Sequence, residues 1–155
     1  MERMEIRVER FIDAGPEVVW DVITDLDRAP ETLAGVDSIE RLAGEGYAPG
    51  VKWRETRTMF GKQATEDMWV DVAERPRRTV VRAASRGMEY DSTYTLTPEA
   101  GGTRLALVFG GESGEQGLLA RVAMKVLGPI GKVASRKALE KDMADIARAA
   151  EARRV

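Results

Sequence analysis

The 155-residue chain contains neither cysteine nor histidine. Without thiols it forms no disulfides and no thiolate metal sites, a pattern that fits a cytoplasmic compartment. Without imidazole it lacks Ser-His and Cys-His nucleophile pairs, His-ligated zinc and the side chain most used for acid–base chemistry near neutrality. Any chemistry falls to carboxylates, Tyr, Lys, Arg, Ser or Thr. An excess of one charge is also missing, since 24 Lys and Arg stand against 26 Asp and Glu for a formal net charge of −2. The basic residues are scattered, so nucleic acid is not an expected partner. Nor is there a long hydrophobic run: the most apolar stretch, from Leu118 to Ala134, is interrupted by Arg121, Lys125 and Lys132, which a bilayer core penalises. The first ten residues alternate charged and apolar side chains and do not read as a signal peptide. The expectation is a soluble cytoplasmic protein with no membrane span.

What is present is ordinary for a globular chain: 43% hydrophobic and 32% charged residues, enough for one domain over 1–155 with a sizeable core or a cavity beside it. Met4, Ile6 and Val8 alternate with Glu5, Arg7 and Glu9, the period of a half-buried strand running to about Ile12. Gly15-Pro16 then opens a helix, with Asp13 as its expected cap and Val18, Val19, Val22, Ile23 and Leu26 as its inward face. A second short helical piece spans about Pro30 to Leu33. Six strands follow, punctuated by Gly and Pro: Ser38–Leu42, Val51–Phe60, Gln63–Glu74, Thr79–Ser85, Met88–Thr97 and Thr103–Phe109. Even spacing of this kind implies an antiparallel sheet rather than βαβ units. Gly110, Gly111, Gly114 and Gly117 mark a connection suited to covering a cavity, and do not follow the buried parallel strand that a nucleotide-binding glycine loop requires. From there Leu118, Leu119, Val122, Val126, Ile130, Val133, Leu139, Met143 and Ile146 trace a long helix, with a kink or break expected at Gly128-Pro129.

This order, together with the stretch from Ile12 to Asp25 that ends a strand at a Val19-Trp20 helix, resembles the SRPBCC superfamily of START-like lipid binders and polyketide cyclases/dehydrases. Gly50-Val51-Lys52-Trp53-Arg54, the turn from Glu74 to Arg78, the run from Gly101 to Leu105 and the run from Leu139 to Met143 are also similar to that group. The resemblance implies an α+β helix-grip fold, in which a curved seven-stranded antiparallel sheet wraps a long C-terminal helix with two short helices between strands 1 and 2. It also implies a deep apolar cavity for lipids, polyketides, isoprenoids or hormones. Its motifs are helix starts and turns, so they specify fold better than function. The chaperone-activator branch is resembled less, because Pro30-Glu31-Thr32-Leu33 stands where that branch carries a tryptophan.

In a sheet with one face around a helix, alternate residues divide between cavity and solvent. The concave set reads as Val51, Trp53 and Met59; Met68, Val70 and Val72; Val81, Ala83 and Ser85; Tyr90, Ser92, Tyr94 and Leu96; and Leu105, Leu107 and Phe109. Val122, Val126 and Ile130 supply the helix wall. The same alternation carries Glu55, Arg57 and Glu66 inward. Buried charges are normally paired, so two readings stand: a structural ion-pair cluster of these three, or an Arg57 that with a neighbouring Glu orients or protonates a ligand. Tyr90 and Tyr94 lie four apart and offer hydroxyls to the cavity, or else close the core at its rim. Trp69, on the convex face beside Asp67 and Asp71, marks a candidate contact surface. The first expectation is a binder of an apolar small molecule that needs no metal or cofactor. The others are a cyclase/dehydrase-type enzyme with Glu55, Arg57 and Tyr94 as candidate catalytic groups, and a protein-interaction domain; the chain is expected to be a monomer or homodimer.

Overall fold

The computed structural model describes the backbone of residues 3–59, 61–85, 88–113 and 118–154, and the side chains of these except 3, 4, 85, 88, 112, 113 and 118–133. The strands are β1 (Arg3–Ile12), β2 (Val36–Ala43), β3 (Lys52–Met59), β4 (Lys62–Glu74), β5 (Arg78–Ser85), β6 (Met88–Glu99) and β7 (Gly102–Ser113). They form one sheet in the order β1-β7-β6-β5-β4-β3-β2, antiparallel at every pairing. Because β1 and β2 lie at opposite edges, the chain between them crosses the sheet. It does so as α1 (Pro16–Thr24), a 3-10 turn (Leu26–Arg28) and α2 (Ala29–Thr32). The long α3 (Leu118–Arg153) closes the structure against β1, α1 and α2. The architecture is the helix-grip arrangement.

Local chemistry accounts for these elements. Pro16 starts α1, where its absent N–H would have had no helical partner. The cap expected from Asp13 does not form, since Gly15 holds the N-cap position without a side-chain bond. Asp13 instead pairs with Arg154, and its N–H donates to Glu151 Oε2 at 3.0 Å, fastening the end of β1 to the end of α3. The β6–β7 turn places Ala100 and Gly101 at φ of 48° and 78°, the positive pair that a tight two-residue hairpin demands. At Gly102 a Cβ would lie 2.4 Å from the Ile12 carbonyl oxygen. The neighbouring Thr103 hydroxyl donates to the Ala14 carbonyl at 2.7 Å. The glycine pair and threonine therefore dock the start of β7 onto the end of β1.

Three expectations change. Strand β7 continues to Ser113, so Gly110 and Gly111 are strand rather than loop. A Cβ at Gly111 would come 2.9 Å from the Tyr90 ring, so glycine here serves close packing; Gly114 and Gly117 lie outside the described residues. Of the kink or break expected at Gly128-Pro129, the break does not occur, because α3 runs through it and one lost backbone bond need not end a helix whose neighbouring turns remain formed. In β4 the pairing jumps from Val70↔Val81 to Val72↔Val80. The bulge at Asp71 reverses the alternation beyond it, so Ala73 rather than Val72 packs against the core.

The larger core joins Val8, Ile12, Val19, Trp20, Leu105 and Leu107 to Met143, Ile146, Ala147 and Ala150. A second cluster contains Leu26, Val51, Trp53, Val70 and Val81. No helix among the described residues is long and apolar enough to cross a membrane.

Candidate functional site

Between the concave sheet and α3 lies a cavity of about 550 Å³, within the usual range for small-molecule sites. Register builds its polar wall. Trp53, Glu55, Arg57 and Met59 project from alternate positions of β3, facing Met68, Glu66, Ala64 and Lys62 of β4. Val81, Ser92, Tyr94, Leu107 and Phe109 extend the surface across β5 to β7. On the far side α3 presents Ser135, Ala138, Leu139, Asp142 and Ile146, one helical face. The end wall comes from the α1–α2 region, including Val22, Leu26 and Leu33, and from Tyr47.

An ion triad crosses the cavity's edge. Arg57 Nε donates to Glu55 Oε2 at 2.8 Å, while Nη1 and Nη2 donate to Asp142 Oδ1 and Oδ2 at 3.2 and 2.8 Å. The side chains of Arg57, Glu55 and Asp142 are 24%, 12% and 8% exposed, so the bidentate bond works in a mostly dry setting. Trp53 Nε1 also donates to Glu55 at 3.4 Å. Burial opposes the charge on Arg57, but Asp142 and Glu55 outweigh it and hold the guanidinium more firmly protonated than usual. Burial keeps the Asp142 carboxyl above its ordinary range despite Arg57.

Glu66 differs. It sits directly across from Glu55, a like-charge pairing that sheets disfavour, and its carboxyl accepts no hydrogen bond from another described residue. Burial, then Glu55, raise its pKa, with Arg57 opposing. Tyr94 borders the cavity, and burial followed by the Asp142 charge keeps its hydroxyl firmly protonated. Tyr47 is engaged: Thr79 donates to the Val72 carbonyl at 2.8 Å, leaving Tyr47 to donate to Thr79 Oγ1 at 2.7 Å. Burial pushes Tyr47 up to about 12. Trp20 meets its ring edge-on at 6.1 Å.

Of the residues singled out in the sequence, Trp53, Glu55, Arg57, Glu66, Met68, Val81, Ser92, Tyr94, Leu107 and Phe109 border the cavity. Val70 and Ala83 are buried in the sheet's packing instead. Tyr90 stacks on Phe109 with ring centroids 5.5 Å apart and planes at 17°, on the same face of the sheet but beyond the residues that border the cavity. The side chains of Val122, Val126 and Ile130 lie outside the described residues. The expected three-member cluster is corrected, because Arg57 pairs with Glu55 but takes Asp142 in place of Glu66. Asp142 had a signal: three residues after Leu139 and four before Ile146, it falls on the apolar stripe of α3. Tracing that stripe through apolar residues alone passes over it. Among the described residues no group of His, Cys, Asp or Glu is placed to hold a metal ion.

A family profile described as polyketide cyclase / dehydrase and lipid transport matches residues 3–153. No curated protein sequence gives a significant match. Among solved structures, TTHA0849 from Thermus thermophilus is 22% identical with a TM-score of 0.78, covering 96% of this chain and 98% of its own. The Zhui aromatase/cyclase from Streptomyces sp. R1128 is 19% identical with a TM-score of 0.77, covering 98% and 96%. Ara h 8.0201 is 15% identical with a TM-score of 0.66, covering 97% of each chain. At these identities the likeness is one of fold.

Proposed function

This chain belongs to the polyketide cyclase / dehydrase and lipid transport family, within the SRPBCC superfamily, and from that premise we propose that it binds an apolar or amphipathic small molecule in the cavity between sheet and α3. The observation that carries this reading is the space of about 550 Å³ whose walls are mainly apolar and at whose edge a few charged groups of β3, β4 and α3 stand. Such a division suits a ligand with a hydrophobic body and one polar end. Titration with the neutral probe N-phenyl-1-naphthylamine tests it. Saturable one-site binding is expected, and Ala138→Phe, which projects a ring into the space, should abolish it while leaving the thermal midpoint within a few degrees, about the effect of 1 kcal/mol. Unchanged binding in a folded Ala138→Phe protein would place the probe elsewhere and sink the reading.

A second reading, proton transfer to a bound polyketide, is favoured by a carboxyl and a phenol that face the cavity with no side-chain hydrogen bond from another described residue, Glu66 and Tyr94. A carboxylate and a neutral phenol are a workable base and acid, whereas Glu55 and Arg57 are occupied by each other. Mass spectrometry after incubation with a model poly-β-ketone separates the two: recovery of the intact molecule favours binding alone, and a product lighter by one water favours catalysis.

A further inference from the structure

We propose that the polar end of the ligand is a hydrogen-bond donor, an alcohol, phenol or amine, received by the Glu66 carboxylate, and that the cavity discriminates against carboxylic acids. This rests on the reading that the cavity holds a small molecule, and it names the class of that molecule.

A guanidinium facing an apolar space is the usual receiver of a carboxylate head, and Arg57 at first suggests a fatty-acid site. Its charge is already matched twice, however, by Glu55 on Nε and by Asp142 on both Nη atoms. Two carboxylates stand around one guanidinium, so the field there is negative before any ligand arrives. Glu66, paired across the strands with Glu55, adds a third carboxylate to the cavity lining.

Among the described residues, the other charged groups on the lining do not reverse this. Lys62 is exposed, where water screens it. Asp25 faces Arg28 and Arg153 at 4.0 and 3.9 Å. Tyr94 is neutral and both gives and accepts a hydrogen bond, so it does not choose the ligand's sign. An incoming anion would leave water to enter a partly dry, net-negative wall. A donor would instead meet a carboxylate that lacks a hydrogen bond from any described residue. The elevation of the Glu66 pKa by burial and Glu55 points the same way: an arriving cation relieves that penalty and an arriving anion deepens it.

Calorimetric titration with three bicyclic probes of matched shape decides the matter: 2-naphthylmethylamine, 2-naphthol and 2-naphthoic acid at neutral pH. The amine and the naphthol should each bind at least about tenfold more tightly than the acid, a difference one placed charge can supply. Glu66→Gln, nearly isosteric, should lower amine affinity about tenfold relative to naphthol by removing the anionic receiver. Naphthoic acid binding as well as the amine, or an amine-to-naphthol ratio untouched by Glu66→Gln, would overturn the inference and leave the cavity reading standing. If none of the three binds the unaltered protein, the cavity reading falls and this inference with it.

Discussion

At one end of the layer between sheet and α3, Ile12, Val19, Leu105, Met143 and Ala150 are closed to solvent; at the other, Arg57, Glu66, Tyr94 and Asp142 surround about 550 Å³ of space. Both ends use the same β alternation and the same helix. The closed end has large apolar side chains meeting small ones, since Ala14, Ala147 and Ala150 let α3, α1 and β7 approach and the larger residues fill what remains. The open end has short side chains on both walls, Ala64 and Ser92 from the sheet and Ser135 and Ala138 from the helix. None of these reaches across, and the intervening charges resist a dry collapse. Whether such a layer becomes core or cavity depends on side-chain length and charge at facing positions, a property that hydrophobic period does not report.

The largest expected effect breaks the hinge between the two ends. Asp142 lies next to Met143 of the closed core and one turn before Ile146, and faces the cavity; Asp142→Ala leaves Arg57 beside a single carboxylate. A loss of about 3–5 kcal/mol in chemical denaturation is expected. Replacing Glu55, Arg57 and Asp142 together by apolar residues of similar volume should recover most of that loss. If the single variant costs under about 1 kcal/mol, the triad behaves like an exposed pair and the contrast between the ends is overstated.

Next in size is the difference between filled and unfilled walls. Leu105→Ala at the closed end should cost about 2–5 kcal/mol through lost burial and a new void. Met68→Ala fronts existing space and should cost about 1 kcal/mol, because fewer packing contacts are forfeited there. Equal losses at the two sites would mean that the open end is as tightly packed as the closed one.

The smallest effect is one of pH. The folded-state pKa of Glu66 is raised above the ordinary value of 4.5. Its neutral form thus suits the fold, and the contribution to stability is fully present below that value and lost as pH rises through the raised one. Glu66→Gln keeps the neutral form at all pH. The variant should be more stable than the unaltered protein at about pH 7, by no more than about 1 kcal/mol after allowing for solvent screening, and the advantage should vanish by about pH 4. A gain that persists in acid would show that the carboxylate charge is not its source.

Much of the fold is legible because its signals are local. Pro16, the Gly and Pro punctuation between strands, and the alternation through Trp53, Glu55 and Arg57 each report a backbone state within a few residues of themselves. The misreadings have a different origin. Alternation turns Val72 inward only if the ladder is unbroken, and the bulge at Asp71 is visible only in the pairing with β5. The same rule places Tyr90 correctly on the concave face, but that its ring lies against Phe109, in room left by Gly111, and not on the cavity lining depends on the neighbouring strand. Asp142 is a polar residue within an apolar stripe, and its meaning depends on Arg57, 85 positions away.

The amino-acid order alone determined the succession of elements, the inward turn of Glu55, Arg57 and Glu66, and the absence of thiol and imidazole chemistry, since each follows from residue type and spacing along one segment. Tertiary structure decided which carboxylates Arg57 takes as partners, which carboxylate is left facing Glu55 with no hydrogen bond from a described residue, and which end of the layer stays open. Those outcomes depend on distances between segments far apart in the chain, and charge pairing and packing are settled only when those segments meet.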